Sequence, residues 1–218
     1  MNTVTYTKVH LLDHMGSDLS VVNAARVSFG KQSNKLNRKD KALIKYLAEH
    51  QHWSPFAHCF LSFRIAAPLF VARQLGKHQV GLAWNEISRR YVEFEPEIYQ
   101  PEGWRKRATE NVKQGSSTEL VQYQESIHHM YYDAARHAVD AYISMLDMGC
   151  CPEQARAILP QSMMTEWVWS GSLYAFARVF KLRLKPDVQQ ETQEVVREIS
   201  HCCSEKFPVA WAALRDCS

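Results

Sequence analysis

Apolar and polar positions alternate with a period of two near the N-terminus and with a period near 3.6 over most of the remaining chain, so strands come first and helices dominate later. In the opening stretch, Val4, Tyr6 and Lys8 oppose Thr5, Thr7 and Val9, a pattern that predicts a strand. Asp18-Leu19-Ser20 reads as a cap for a helix over VVNAARVSF, and Lys31 to Lys35 as a polar loop. Residues 38–50 place Ala42, Leu43, Tyr46 and Leu47 in the stripe of an amphipathic helix. Over residues 57–66, Cys59, Leu61, Phe63 and Ile65 alternate with His58, Phe60, Ser62 and Arg64, which predicts a second strand.

Pro68 is suited to opening the next helix, over residues 68–78, because proline is tolerated in a first turn. Residues 88–95 read as a third strand, and Pro101 to Ser117 as a polar, irregular surface loop. Ser116-x-x-Glu119 has the form of a capping box, from which a long helix runs to near Gly149. Pro152 and Pro160 bracket a further helix. Leu173, Phe176, Ala177, Phe180 and Leu184 share one face of another, which Pro186 ends, and a last long helix runs to about Phe207. No repeat and no linker interrupts the chain. The expectation is one domain over residues 1–218 of the α+β class, a small antiparallel sheet with flanking helices.

Composition narrows the function classes. With 46% hydrophobic and 22% charged residues, the 218-residue chain can bury a core of ordinary size. A net charge of +3 lacks the basic excess of a dedicated nucleic-acid binder but suits small anionic ligands. An RNA-binding module that stacks bases on Trp84, Tyr91 and Trp104 is therefore disfavoured. No apolar run approaches the roughly 20 residues of a membrane span, and the start lacks the pattern of a signal peptide. The six cysteines, Cys59, Cys150, Cys151, Cys202, Cys203 and Cys217, form no disulfide framework, so reduced thiols in a cytoplasmic protein are expected. Neighbouring cysteines at 150–151 and 202–203 do not have zinc-ligand spacing either, and no metal is expected.

Candidate chemistry concentrates between Arg73 and Tyr91. Arg73, Lys77, His78, Arg89 and Arg90 stand there among Gln74, Gln79, Asn85, Glu86 and Ser88. A basic helix end is often only a solvated face that complements the helix dipole. Here Gly81-Leu82-Ala83-Trp84 breaks the charge run with a compact apolar turn, which fits the lining of a pocket for a planar anion. A second basic cluster comprises Arg156, Arg178, Lys181, Arg183 and Lys185, and the rigid fork of arginine suits phosphate and carboxylate. The fold must bring the two clusters together, or a subunit interface must.

Motifs in register then make a specific resemblance. Lys77-His78-Gln79 precedes Asn85-Glu86-Ile87-Ser88-Arg89-Arg90-Tyr91. Ala24-Ala25-Arg26-Val27-Ser28-Phe29, Ser54-Pro55-Phe56-x-His58 and Pro68-x-Phe70-Val71-Ala72-Arg73-Gln74 lie before them. Pro152-x-x-Ala155-Arg156-x-x-Leu159-Pro160 and Leu182-Arg183 come after. In order and spacing, over about residues 15–200, the chain resembles the flavin-dependent thymidylate synthases. The resemblance implies a homotetramer with active sites shared between subunits and a bound FAD. It implies methylation of dUMP to dTMP with 5,10-methylenetetrahydrofolate as one-carbon donor and NADPH as reductant. It implies dUMP contacts from Gln74, Lys77, Glu86, Ile87, Ser88, Arg89, Arg90, Arg156 and Arg183, with Arg183 and Ser88 as the catalytic candidates. Ser88 suits binding better than nucleophilic attack, since no adjacent base follows from the sequence. Flavin contacts are implied from Ser28, His52, Ser54, Lys77, His78, Gln79, Glu86, Ser172 and Arg178.

Four departures stand out. The family's Arg-His-Arg is Lys77-His78-Gln79, which removes one formal charge and two guanidinium forks. The spacer after it is one residue longer than in the common motif. Ser172 and Tyr174 stand where Asn and Arg are frequent, and Asp187 where His is frequent. A catalytically inactive, nucleotide-binding relative is the alternative these departures raise.

Overall fold

The computed structural model describes residues 1–108 and 116–217. The chain runs through β1 (Asn2–Val4), β2 (Lys8–Met15), α1 (Asp18–Arg26), α2 (Arg38–Glu49), α3 (Ser54–Ala57), β3 (Phe60–Pro68) and α4 (Leu69–Leu75). It continues through β4 (Leu82–Glu86), β5 (Glu97–Tyr99), β6 (Arg105–Arg107), β7 (Ser116–Leu120) and α5 (Gln124–Asp147). Then come α6 (Pro152–Ala155), β8 (Met164–Ser172), α7 (Leu173–Arg183), α8 (Gln190–Lys206) and α9 (Pro208–Asp216).

A four-stranded antiparallel sheet in the order β2-β3-β8-β4 positions everything else. Alternation on its two central strands explains it. Leu61, Phe63, Ile65 and Ala67 of β3 and Thr165, Trp167 and Trp169 of β8 turn to one face and are buried. That face packs on helices through Leu75, Phe176, Val195, Ile199 and Trp211. On the other face, Ser62 and Ser170 share a 2.8 Å hydrogen bond and Arg64 bridges to Glu166 at 3.0 Å. β4 can lie close to β8 because the chain has Gly171 there, where an added Cβ would sit 2.5 Å from the Gly81 carbonyl. Gly81 itself turns into β4 with φ +77°, a region that favours glycine. A smaller core gathers Ile98, Val139, Tyr142, Ala155 and Met163 between α5, α6 and β5.

The α+β class holds, and several element assignments change. The N-terminal alternation resolves into two strands. β1 pairs parallel with β5, whereas β2 pairs with β3 and bulges between Leu11 and Asp13. The third strand is 82–86, in the stretch read as a turn, rather than 88–95. β8 was not anticipated, and neither was α9 after Pro208. Ser116 and Glu119 belong to β7 rather than to a capping box; β7 pairs with β6, with Lys106 bridging Glu119 at 2.8 Å. Part of the loop expected over 101–117 is therefore a hairpin, and its 109–115 stretch lies outside the described residues. The long helix starts instead at Gln124, whose amide accepts from the Trp104 backbone at 2.7 Å and donates back to it at 2.8 Å.

Candidate active site

β3 runs directly into α4 at Pro68, whose extended backbone (φ −66°, ψ 152°) ends the strand and starts the helix. Arg73 and Gln74 therefore stand on the last turns of a helix beside the central sheet. Lys77, His78 and Gln79 follow it before Gly81 turns the chain back along β8 as β4. Glu86 ends β4, and the 87–91 segment leaves from there.

Two adjoining cavities result, sharing Leu69, Arg73 and Glu86. One, of about 410 Å3, takes Ile87, Arg89 and Arg156 together with Gln161 and Thr165. The other, of about 440 Å3, takes Lys77, His78, Gln79, Leu82 and Trp84. Arg73, Lys77, His78, Gln79, Glu86 and Arg89 of the first cluster thus meet Arg156 of the second along one open groove, whereas Gln74, Ser88, Arg90 and Arg183 line neither cavity. Glu86 is fixed at its centre, because its carboxylate accepts from Thr165 Oγ1 at 2.6 Å and from Trp84 Nε1 at 3.2 Å. Trp84 is held in turn by stacking on Trp167, ring centres 4.5 Å apart. The groove sets Arg73, Arg156 and Lys77 against one carboxylate, a polarity that selects for an anion with hydrogen-bonding edges.

Arg183 ends α7 and touches the groove only through His78, which lines it. Its Nε donates to His78 Nε2 at 2.8 Å and its Nη2 to the Gln74 carbonyl at 3.1 Å. Burial first, then the cations Arg183 and Arg178, hold the His78 pKa below its usual 6.5, which favours the neutral ring that can accept this bond. Ser88 Oγ accepts from the Arg90 backbone at 3.3 Å and from Arg90 Nε at 3.2 Å, leaving its own proton free to donate to a ligand. No carboxylate or imidazole bonds it among the described residues.

Other candidates stand differently. Arg89 is buried: its guanidinium donates to the Phe94 carbonyl and lies 4.4 Å over the Phe94 ring, so most of its donors face the protein. Gln74 turns its amide to Gln189 and Thr192 rather than into the groove. Ser172 is buried, with its hydroxyl capping α7 at Ala175 N (3.2 Å). His52 and Arg178 line a separate cavity of about 270 Å3, floored by Leu47, Phe56 and Ala177 and flanked by Trp53 and Tyr174, whose rings are 6.1 Å apart. Ser54 opens α3 at the edge of that cavity, directly after Trp53. Ser28 lies elsewhere, on an exposed 3-10 turn over Val27–Phe29. Arg73 and Thr165 join the groove without having been singled out as ligand contacts. Arg73 stood in the basic run, and Thr165 sits on β8, where alternation with Glu166 and Trp167 was the available signal.

Comparison with known proteins places the whole chain. The family model described as thymidylate synthase complementing protein matches residues 10–209. A flavin-dependent thymidylate synthase of Thermus thermophilus is 40% identical over 208 residues, covering 95% of this chain and 75% of that one. Another, from Thermosipho melanesiensis, is 36% identical over 200 residues, 92% of this chain and 86% of its own. A crystal structure of the UMP/dUMP methylase PolB from Streptomyces cacaoi, bound with 5-Br dUMP, superposes with a TM-score of 0.86 at 27% identity, covering 100% of this chain and 98% of that one. With a family model matched over most of its length and relatives at 36–40% identity, the chain belongs to the flavin-dependent thymidylate synthase family.

Proposed function

We propose that this chain methylates dUMP to dTMP, using FAD, NADPH and 5,10-methylenetetrahydrofolate. The observation that carries the proposal is the groove itself, where Arg73 and Arg156 line the same cavity as a fixed Glu86 and the clamped Arg183 holds His78 on the adjoining wall. Arg156, Arg90 and Ser88 are suited to the phosphate. A guanidinium at N3 of the uracil ring stabilises the ionised form and favours electron density at C5, where the one-carbon unit joins. We assign that role to Arg183. Its two fixed acceptors remove the rotameric freedom that an unanchored arginine would bring.

The residues present fit a flavin. Trp53 and Tyr174 offer an apolar slot for a planar ring, and Arg178 and Lys181 beside them suit a pyrophosphate. Lys77, His78 and Gln79 face the groove where a second part of the cofactor would pass. Flavin, when bound, supplies the hydride that completes the methyl group, and the folate leaves as tetrahydrofolate. These two regions and Ser28 do not form one pocket in a single chain. That separation supports a homotetramer in which sites are completed between subunits. No helix among the described residues is long and apolar enough to cross a membrane, and a cytoplasmic location without nucleic-acid partners agrees with the charge and the free thiols.

The test is dTMP formation from dUMP with all three co-reactants, run beside an absorbance titration of the protein with FAD. Arg183→Ala is expected to abolish turnover while leaving the fold and the flavin band intact. Full turnover by that variant would remove Arg183 from the ring-facing role. dUMP binding without turnover in the unmodified protein would favour the inactive relative, the reading that Lys77-His78-Gln79 raises.

A further inference from the structure

Gln74 is clamped at both ends of its side chain. Its Nε2 donates to Gln189 Oε1 at 2.5 Å, and its Oε1 accepts from Thr192 Oγ1 at 3.1 Å. Thr192 is fully buried on the first turn of α8, so this hydroxyl has no water to fall back on. The last four carbonyls of a helix lack intrahelical partners, and that of Gln74 is taken by Arg183 Nη2. The backbone oxygen that fixes Arg183 therefore belongs to a residue whose side chain is locked to α8.

The surroundings make that lock stiff. Gln193 Nε2 donates to the carbonyls of Val188 (2.8 Å) and Lys185 (3.2 Å), holding the link from Arg183 to α8 on the same helix. Glu191, nearly inaccessible, takes a 2.6 Å ion pair from Arg105, which ties the first turn of α8 to the β6–β7 hairpin. We infer that Thr192 and Gln189 are positioning residues for Arg183, acting through Gln74. This deepens the functional reading above and rests on it.

The resemblance assigns Gln74 a direct contact with dUMP, and the two roles make opposite predictions. If Gln74 must swing into the groove to meet the nucleotide, the clamp opposes binding and its loss tightens dUMP. If the clamp serves Arg183, its loss weakens dUMP and slows turnover.

The experiment is calorimetric titration of the FAD-loaded protein with dUMP, on the wild type, Thr192→Val, Thr192→Ser, Arg183→Ala and the Thr192→Val/Arg183→Ala double variant. Removing one hydrogen bond from the clamp should raise the Kd of Thr192→Val about fivefold, and Thr192→Ser, which keeps the hydroxyl, should stay within about twofold. In the Arg183→Ala background Thr192→Val should cost nothing further, because the two residues act along one path. Turnover of Thr192→Val should fall as well. Unchanged or tighter dUMP binding in Thr192→Val, or an equal loss with and without Arg183, overturns the inference. Should Thr192→Val fail to fold, Gln189→Ala cuts the other end of the clamp at a half-buried position and carries the same expectations. A wild type that does not bind dUMP overturns the functional reading itself and this inference with it, an outcome read before any variant is compared.

Discussion

Arg183 and His78 meet through a contact that tolerates only one protonation state of the ring. Arg183 is always charged and can only donate, so His78 Nε2 must carry its lone pair to accept at 2.8 Å. Burial, then Arg183, then Arg178 lower the His78 pKa, so as pH falls through 6.5 an unfolded chain takes a proton that the native ring resists. Stability is therefore fully present above that value and falls below it, whereas the Arg183 contact persists until pH reaches the lower native pKa of the ring. Turnover should fall on an acid limb below pH 6.5, and His78→Gln, whose amide oxygen accepts without titrating, should flatten that limb. A limb of unchanged position in His78→Gln would assign it to another group. Next to it, Gln79 faces the groove as an uncharged donor where the family has arginine. Gln79→Arg should tighten FAD several-fold by restoring a fork for phosphate or ring oxygens, measured by quenching of flavin fluorescence. Flavin affinity left unchanged would show that position 79 does not face the cofactor.

Elements differ in how much of them could be read from the chain, and the reason is the distance over which each is stabilised. α7 is anchored by a local pattern and a proline, and its predicted face matches the buried one at Leu173, Phe176 and Ala177. α2 forms where expected but buries Ile44, Leu47 and Ala48 and leaves Ala42 and Tyr46 of the predicted stripe exposed. β8 alternates as clearly as β3, yet its place as a central strand depends on partners remote in sequence, β3 and β4. β4 has five residues, too few for periodicity to show, and is specified by Gly81 and Gly171, whose importance appears only in three dimensions. Asp18 gives the sharpest example. It reads as part of a local cap, and instead its carboxylate accepts from Val209 N (3.0 Å) and Ala210 N (2.8 Å), capping α9 at the far end of the chain. Ser17, one residue earlier, precedes α1, its backbone donating to Ser20 Oγ at 3.0 Å. Asp18→Ala leaves two N–H groups of α9 unpaired beside a buried site and should cost about 2 kcal/mol in urea unfolding, with turnover near normal at low temperature. A loss below about 0.5 kcal/mol would show that α9 does not depend on this cap.

At the scale of the whole molecule, the candidate site was legible where its residues share one stretch of chain and not where they do not. Lys77, His78, Gln79, Glu86 and Ile87 come together along one groove, as a motif on consecutive elements should. His52 and Arg178 lie in a second cavity and Ser28 on a third surface, apart from the groove within one chain. The exposed apolar side chains Val27, Phe29, Val80 and Tyr91, each more than 70% accessible, stand beside these very residues. Apolar surface next to ligand-binding groups is what a site completed by another subunit requires. Complementation tests this directly. Arg183→Ala removes the groove side, and His52→Ala/Arg178→Ala removes the second cavity; each should be inactive alone. When the two are co-refolded at equal amounts, a random quarter or so of the sites pairs an intact groove with an intact cavity from another chain. Activity should then return to about a quarter of the wild-type value per site, since each half works from its own subunit. If the mixture stays as inactive as its parts while assembling normally in size-exclusion chromatography, both halves must come from the same chain, and the shared-site arrangement is wrong.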